Sequence, residues 1–240
     1  MSKRTQRNRS TIIILALILL VPGFLYIAVN RFGFNEYASL PVFGDKELSG
    51  EMKRNWGREY PDTIFHTANR IYFEDAAGEK IAFPAGDTCI SVAHLFYTRD
   101  AAFSRLMLDH VDMLAVRFQE NPMVKFFSIS VDSTDTRADL EAFADRYRNI
   151  EAKHWNLVSN PTVDIFGYAQ EQLLIDAMPD PADSTRFLIS NQLVLLDAKS
   201  RIRGFYDISL KGEIDRLEDE IKLLAVEEIR NKSLKIEKAK

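Results

Sequence analysis

The segment Leu95–Met107, LFYTRDAAFSRLM, joins an apolar run typical of a strand to an amphipathic run typical of a helix. In redox and metal-binding proteins, the turn between two such elements is a position where paired cysteines occur. Here the turn runs from Arg99 to Ser104, RDAAFS, and contains no cysteine. Thiol–disulfide exchange requires sulfur, and soft metal ions select it, so the residues of this turn predict neither activity.

Other candidate metal ligands are scattered along the chain. Cys89 is the single cysteine, so it has no intrachain disulfide partner, and its apolar surroundings predict an inert thiol in a core strand. An intermolecular disulfide is the alternative. The chain has four histidines: His66, His94, His110 and His154. They show no ligand spacing such as H-x-x-x-H, so packing or surface roles are expected, with a relocated site that includes the Met107 thioether as the alternative.

Three carboxylates were considered as catalytic groups: Asp132 and Asp135 near the end of a predicted strand, and Asp164 in a later predicted helix. No nucleophile elbow, P-loop or dinucleotide-binding motif supplies them with partners. They are therefore predicted to be solvated turn-forming residues. The sequence predicts no catalytic residue, and the chain is not expected to be an enzyme.

The N-terminus predicts a membrane anchor. Four basic residues and no acidic residue precede an uncharged apolar run from Thr11 to Val29. Nineteen helical residues span roughly 28 Å, close to the hydrocarbon thickness of a bilayer. The basic flank predicts a cytoplasmic N-terminus in the inner membrane and a periplasmic or extracytoplasmic domain. A cleaved signal peptide is the alternative, but no small-residue cleavage site follows the run.

Strand and helix patterns alternate in the rest of the chain. A hairpin is predicted over Arg70–Phe83, strands over Cys89–Tyr97, Val124–Asp132 and His154–Ser159, and a second hairpin that turns at Asp197–Ser200. The helices between them carry apolar stripes at helical spacing: Phe103, Met107, Val111, Leu114 and Phe118; then Leu140, Phe143 and Tyr147; and finally Ile214, Leu217, Ile221 and Leu224.

This order predicts an α/β fold: a thioredoxin-like central mixed sheet flanked by helices, with an N-terminal hairpin and a preceding single transmembrane helix. The predicted regions are a cytoplasmic tail (1–10), a transmembrane anchor (11–29), a tether (30–62), a thioredoxin-like domain (63–226) and a charged tail (227–240), of which residues 231–240 are expected to be frayed. The composition, 46% hydrophobic and 28% charged with a net charge of −4, is that of a globular protein. Because the basic residues after the N-terminus are dispersed, no nucleic-acid partner is expected.

With these elements in place, the sequence resembles the Sco/SenC family of membrane-anchored thioredoxin-fold proteins. The segment SISVDSTDTRADLEAFADRY is similar to the family pattern S-I-S-V-D-P, D-T-P, L and Y-A, and LVLLDAKSRIRGFYD is similar to its hairpin followed by R-G-Y-Y-D. The segment LFYTRDAAFSRLM resembles its F-F-F-T-x-C-P-x-x-C-P-x-M. The resemblance covers roughly residues 61–226, and the anchor and tether also suit the family.

The resemblance implies a site that this chain has lost. Family members bind copper through two cysteines and a histidine and assist the assembly of cytochrome c oxidase. Others catalyse thiol–disulfide exchange on the subunits of that oxidase. By position, the cysteines fall on Asp100 and Ser104, and the histidine on Ile189. Two thiolates four residues apart on a helical turn share a face and can chelate one ion, whereas a carboxylate, a hydroxyl and a hydrocarbon suit Cu(I) poorly. No cofactor is expected, and Asp100 is predicted to cap the helix.

Three functions follow from this resemblance. The first is a non-catalytic accessory or scaffold protein, anchored through residues 11–29, with a protein partner in respiratory oxidase assembly or the envelope. The second is a copper chaperone with non-standard ligands, and the third is a protein similar to a thiol–disulfide oxidoreductase. The missing cysteine pair disfavours the second and third, so the first is preferred.

Overall fold

The computed structural model of the chain describes residues 14–27, 39–55, 58–75, 78–86, 88–99, 101–147, 154–183 and 185–238. The chain divides into two compact units, Met1–Ala38 and Ser39–Lys240. In the first unit, residues 14–27 form helix α1 within the predicted anchor. No helix within the described ranges is both long and apolar enough to cross a bilayer. The remaining residues of the predicted anchor lie outside the described ranges.

The second unit contains the predicted mixed sheet. Its strands are β1 (Lys46–Asn55), β2 (Arg58–Phe65), β3 (Ile71–Asp75), β4 (Lys80–Phe83), β5 (Ile90–Phe96), β6 (Val124–Ser130), β7 (Trp155–Ser159), β8 (Ala177–Pro179), β9 (Phe187–Ile189), β10 (Gln192–Leu196) and β11 (Ile202–Asp207). Seven of them form one sheet in the order β11-β10-β5-β6-β7-β3-β4. The central pairs β5–β6 and β6–β7 are parallel and the other pairs are antiparallel.

The helices of this unit are α2 (Ala101–Phe118), α3 (Arg137–Ala144), α4 (Ile165–Tyr168) and α5 (Lys211–Lys238), and a π-helical turn, Ala169–Leu173, continues α4. Helices α2, α3 and α5 bury their predicted apolar stripes in one core, whereas α4 and the π-helical turn help to form a second core. All seven residues of β5 are buried, as expected for a central strand covered on both faces. The sheet, the hairpin β3–β4 and the flanking helices confirm the predicted α/β architecture.

The N-terminal end of helix α3 is determined by local sequence. Thr136 is the N-cap, its side chain accepts a hydrogen bond from the Asp139 N–H, and the Asp139 carboxylate accepts one from the Thr136 N–H. This reciprocal capping box satisfies two backbone donors that the first turn would leave unpaired. The Thr136–Asp139 spacing is the sequence signature of this motif, and the structure confirms it.

Three regions differ from the sequence-based expectations. The segment predicted as an irregular tether contains the antiparallel hairpin β1–β2, whose polar strands lack the apolar alternation that would reveal it. Helix α5 continues to Lys238 through the segment predicted to be frayed from residue 231, because its sequence has no helix-breaking residue. Cys89 precedes β5 and is only half-buried, so the prediction of a core-strand thiol was wrong.

A buried arginine joins the start of the second unit to its C-terminal half. The Arg203 side chain on β11 is 1% exposed and donates hydrogen bonds to the carbonyl oxygens of Leu40 and Pro41, at 2.7 and 3.0 Å. It also forms ion pairs with Asp197 at 3.0 Å and with Glu227 of α5 at 2.8 Å. Residues 40–41, the turn after β10 and helix α5 are thus held by one guanidinium group.

Candidate functional site

The candidate site lies where β5 leads into α2. Ser104 occupies the first turns of α2, and its side chain is fully buried. The Ser104 hydroxyl donates to the Tyr97 carbonyl oxygen at 2.7 Å and accepts a longer hydrogen bond from the Tyr97 N–H at 3.4 Å. Both backbone polar groups of Tyr97, just beyond the end of β5, are therefore satisfied by one side chain. Ser104 holds the turn closed, and its oxygen is already used by the protein.

Replacing Ser104 with alanine is expected to lower the free energy of unfolding by about 1–3 kcal/mol, because the buried Tyr97 N–H and carbonyl lose their partner. Chemical denaturation of the wild type and the variant measures this difference. Ser133→Ala is the matched control, because Ser133 is exposed and its loss should change stability little. Equal effects of the two substitutions would contradict a structural role for the Ser104 hydroxyl.

Asp100, the first position implied by the resemblance, lies outside the described residues, so its capping role stays a prediction. Ile189, the third position, is on β9, which pairs with β8 as a separate two-stranded sheet and does not extend β10. The Ile189 side chain is half-buried and packs against the second core. The structure therefore places a hydrocarbon at this position, with no atom that could donate to a metal ion.

A groove of about 470 Å³ separates β9 from the start of α2. Its lining residues are Tyr97, Phe103, Asp176, Met178, Phe187, Leu188, Ile189, Ser190 and Asn191. The Tyr97 and Phe187 rings meet edge to face, with centroids 5.1 Å apart. Ile189 and Phe103, the residue before Ser104, therefore line the same groove. Sequence reasoning assigned no role to Phe187 or Asp176, and no motif marks either residue.

The two carboxylates after β6 are not solvated turn-forming residues. Asp132 is 2% exposed and accepts from the Arg99 Nε at 2.6 Å and the Thr134 hydroxyl at 2.7 Å. Asp135 accepts from the Thr98 N–H at 3.1 Å and from the Ser130 hydroxyl at 2.6 Å. The prediction that these carboxylates are solvated was wrong, because long-range partners from the β5–α2 turn reach them, although Asp132 does form a turn by accepting from the Thr134 N–H at 2.9 Å. Both carboxylates hold this turn against the end of β6.

Asp164 has a local role. It is the N-cap of α4, and its carboxylate accepts from the Gly167 N–H at 3.0 Å. A carboxylate at an N-cap stabilises the first helical turn by satisfying an otherwise unpaired N–H. Asp164 therefore belongs to the start of the helix and is separate from the Asp132 and Asp135 network.

His94 on β5 lies in a buried hydrogen-bonded chain. The Trp155 Nε1–H donates to the Ser128 hydroxyl oxygen at 2.8 Å, and that hydroxyl lies 2.7 Å from His94 Nε2. His94 Nδ1 lies 3.2 Å from the Leu95 carbonyl oxygen. This arrangement suits a neutral imidazole that donates through Nδ1 and accepts through Nε2. Burial lowers the pKa of His94 from 6.5 to about 4, so the ring stays uncharged at neutral pH.

The other histidines are separated from it. His66 Nε2 lies 3.0 Å from the Gln172 carbonyl oxygen, and His154 Nδ1 lies 3.3 Å from that of Val124. Met107 is fully buried in the first core. Among the described residues, no three histidine, cysteine, aspartate or glutamate side chains form a group suited to a metal ion.

The donor set at the candidate site does not fit Cu(I). The Ser104 hydroxyl is a neutral oxygen held by Tyr97, and Ile189 offers carbon only. Cu(I) selects thiolate, thioether and imidazole ligands. Exchange of thiols is equally unsupported, because neither side chain forms a disulfide. The arrangement can instead bind groups through apolar contact and backbone hydrogen bonds along the groove.

Comparison with solved structures shows which fold this is. A SCO1/SenC family lipoprotein from Bacillus anthracis str. Ames superimposes with a TM-score of 0.59 at 18% identity, covering 67% of this chain and 95% of that one. The chain has the Sco/SenC fold. The structure of BsSco, described as a member of the Sco family of cytochrome c oxidase assembly proteins, has a TM-score of 0.58 at 16% identity and covers 67% and 94%.

A copper-bound plant protein has the same fold. Arabidopsis thaliana ScoI superimposes with a TM-score of 0.51 at 15% identity, over 65% of this chain and 98% of that one. No protein-family profile and no curated protein sequence matches the chain. The Sco/SenC-like fold expected from the three sequence segments is thus confirmed by structural likeness, at identities that support the fold alone.

Proposed function

We propose that this chain is a membrane-anchored, exported protein of Sco/SenC type. It acts as a non-catalytic accessory or scaffold in assembly of the copper centre of cytochrome c oxidase, and its copper and redox site has been lost. Its partner in this proposal is a protein of the oxidase-assembly machinery or the envelope. The anchor comprises residues 11–29, with the N-terminus in the cytoplasm and the domain in the periplasm.

The proposal rests on one observation: the buried Ser104 hydroxyl is hydrogen-bonded to the backbone of the β5–α2 turn. In a copper or redox site, the side chain at this position must be free to bind an ion or to form a disulfide. Here the buried hydroxyl satisfies two backbone groups of Tyr97, and its removal would leave those groups unpaired. A structural side chain at this position favours a domain that acts through its surface.

The anchor and its orientation rest on the sequence. Basic residues before an uncharged apolar run retain the N-terminal tail in the cytoplasm. Cys89 is the single cysteine, so the chain forms no intrachain disulfide even in the oxidising periplasm. A protease-protection assay on intact spheroplasts, with a tag at each terminus, tests this orientation. Digestion of the C-terminal tag alone is the expected outcome.

Titration with Cu(I) tests the loss of the site. The full chain, purified in detergent, is expected to bind no stoichiometric Cu(I) in competition with a chromogenic Cu(I) chelator, because the Ser104 and Ile189 positions supply no soft ligand. The combined substitution Asp100→Cys, Ser104→Cys and Ile189→His is expected to bind about one ion, since two thiolates and an imidazole suit Cu(I).

Two results would contradict this account. One tightly held Cu(I) ion per wild-type molecule would revive the copper chaperone with non-standard ligands. A mixed disulfide trapped through Cys89 with an oxidase subunit would revive the thiol–disulfide oxidoreductase. A triple variant that folds but binds no copper would show that the three positions do not correspond to the family's ligands.

A further inference from the structure

The groove between β9 and α2 has along one wall a strand edge that pairs with no other strand of the described residues. Within the β8–β9 ladder, the Ser190 N–H donates to the Asp176 carbonyl oxygen at 2.9 Å, and the Asp180 N–H donates to that of Arg186 at 3.0 Å. In an antiparallel pair, hydrogen-bonded positions alternate with non-hydrogen-bonded ones. The backbone N–H and C=O groups of Phe187 and Ile189 therefore point away from β8.

These outward groups have no hydrogen-bond partner among the residues that the structure describes. The consecutive residues 187–191 all line the groove. Side chains of a strand alternate between two faces, so a cavity lined by residues 187–191 in succession includes the β9 edge, and Asp176 and Met178 extend it over the adjacent face of the β8–β9 ladder. An edge with free N–H and C=O groups is a template for one more strand.

The walls of the groove define the chemistry of that strand. Tyr97, Phe103, Phe187 and Ile189 provide an apolar floor, and the first three of these residues are aromatic. Asp176 adds an exposed carboxylate that forms no ion pair among the described residues. By contrast, the nearby Arg99 is neutralised by Asp132. The groove thus suits apolar side chains on one face of a strand and a basic side chain near Asp176.

We propose that the groove binds an extended segment of a partner protein as an added strand on β9, with alternating apolar residues and a lysine or arginine on the opposite face. Main-chain hydrogen bonds to Phe187 and Ile189 supply affinity, and the apolar floor and Asp176 supply specificity. This inference rests on the proposed scaffold function and identifies the class of partner. The volume of about 470 Å³ is within the range of ligand-binding pockets.

A second copy of the chain fits the groove less well than a peptide. The β9 edge borders the groove beside Phe103 and Tyr97, so pairing with the same edge of a second copy at the strand spacing of about 4.8 Å would bring these flanking residues of both copies against each other. A single extended segment enters the groove without this obstacle. Self-association is therefore an outcome that would overturn the proposal.

A random octapeptide library displayed on phage, selected against the full chain in detergent, tests the inference. Enriched peptides are expected to alternate apolar and polar residues and to carry lysine or arginine. The Ile189→Pro variant should weaken binding of the best peptide at least about tenfold, because it removes one outward N–H, whereas Ile189→Val should bind normally. Asp176→Asn should weaken the binding of lysine-containing peptides. It should not change the binding of the same peptides with threonine in place of lysine.

Amide hydrogen exchange of the wild-type chain gives a direct measurement that does not depend on the folding of Ile189→Pro. The Phe187 and Ile189 amides should gain protection when the peptide binds, and a peptide N-methylated on the residues that face β9 should fail to bind. Three results would overturn the proposal. The selection enriches no peptide, a peptide binds without protecting these amides, or the chain forms a dimer that Ile189→Pro abolishes. The peptide experiments and the copper titration test separate claims. Failure to bind peptides would not contradict the loss of the copper site. Binding of copper would not contradict peptide binding in the groove.

Discussion

Replacing Arg203 with methionine is expected to lower the free energy of unfolding by about 3–5 kcal/mol, the cost of removing one partner from a buried ion pair. Methionine preserves much of the apolar volume but none of the donors. Asp197, which is fully buried, would keep only its pair with Arg201, and the carbonyl oxygens of Leu40 and Pro41 would lose their donors. Chemical denaturation measures the loss.

The effect should also be visible locally. Because Arg203 holds residues 40–41 on the domain, amide exchange around Phe43, whose N–H donates to the Ile202 carbonyl at 2.9 Å, should accelerate in the variant. Lys211→Met is the matched control, since its ion pair with Asp215 is on the surface and such pairs contribute little. A variant as stable as the wild type would show that the network is not required for folding.

Acidification should destabilise the domain through His94. Its pKa is lowered from 6.5 to about 4 by burial, so between these values the unfolded chain binds a proton that the folded chain does not. Stability therefore falls as pH decreases through this window, and His94 alone should account for about 2–3 kcal/mol between pH 7.5 and 4.5. Denaturant unfolding at several pH values measures the slope.

The His94→Gln variant isolates this contribution, because the carboxylates titrate in both proteins. Its stability should fall less than that of the wild type over the same pH range, by about the 2–3 kcal/mol assigned to His94. Ser128→Ala is the companion control: it removes a hydrogen-bond partner of His94 but leaves the imidazole in place, so it should lower stability at neutral pH and retain the pH dependence. Parallel slopes for wild type and His94→Gln would contradict the assignment.

The main elements of the fold could be predicted because their signals are local. The stripe Met107, Val111, Leu114 and Phe118 predicts a helix and its buried face, and the capping box at Thr136 predicts where α3 begins. Apolar runs likewise predicted β5 and β6. The hairpin β1–β2 could not be predicted, because its polar strands pair with each other and carry no alternation that distinguishes them from a tether.

The candidate site was only partly predictable. The absence of a cysteine pair follows from residue identity and needs no structure. The contact of Asp132 with Arg99, in contrast, depends on the parallel pairing of β5 with β6, which brings the residues after both strands to the same end of the sheet. Cys89 was misassigned for a related reason: the strand begins one residue later, and burial changes sharply at a strand end.

By itself, the sequence determined the alternation of strands and helices, the apolar N-terminal run and the lack of a cysteine pair in the β5–α2 turn, because these are properties of residue types and short spacings. The tertiary structure decided that the Ser104 hydroxyl binds Tyr97, that Phe103 and Ile189 line one groove, and that the β9 edge is left open. These features depend on contacts between residues far apart in the chain, such as the 7-stranded sheet order that brings β5 beside β10. Such contacts follow from packing and strand register, and local patterns do not encode them.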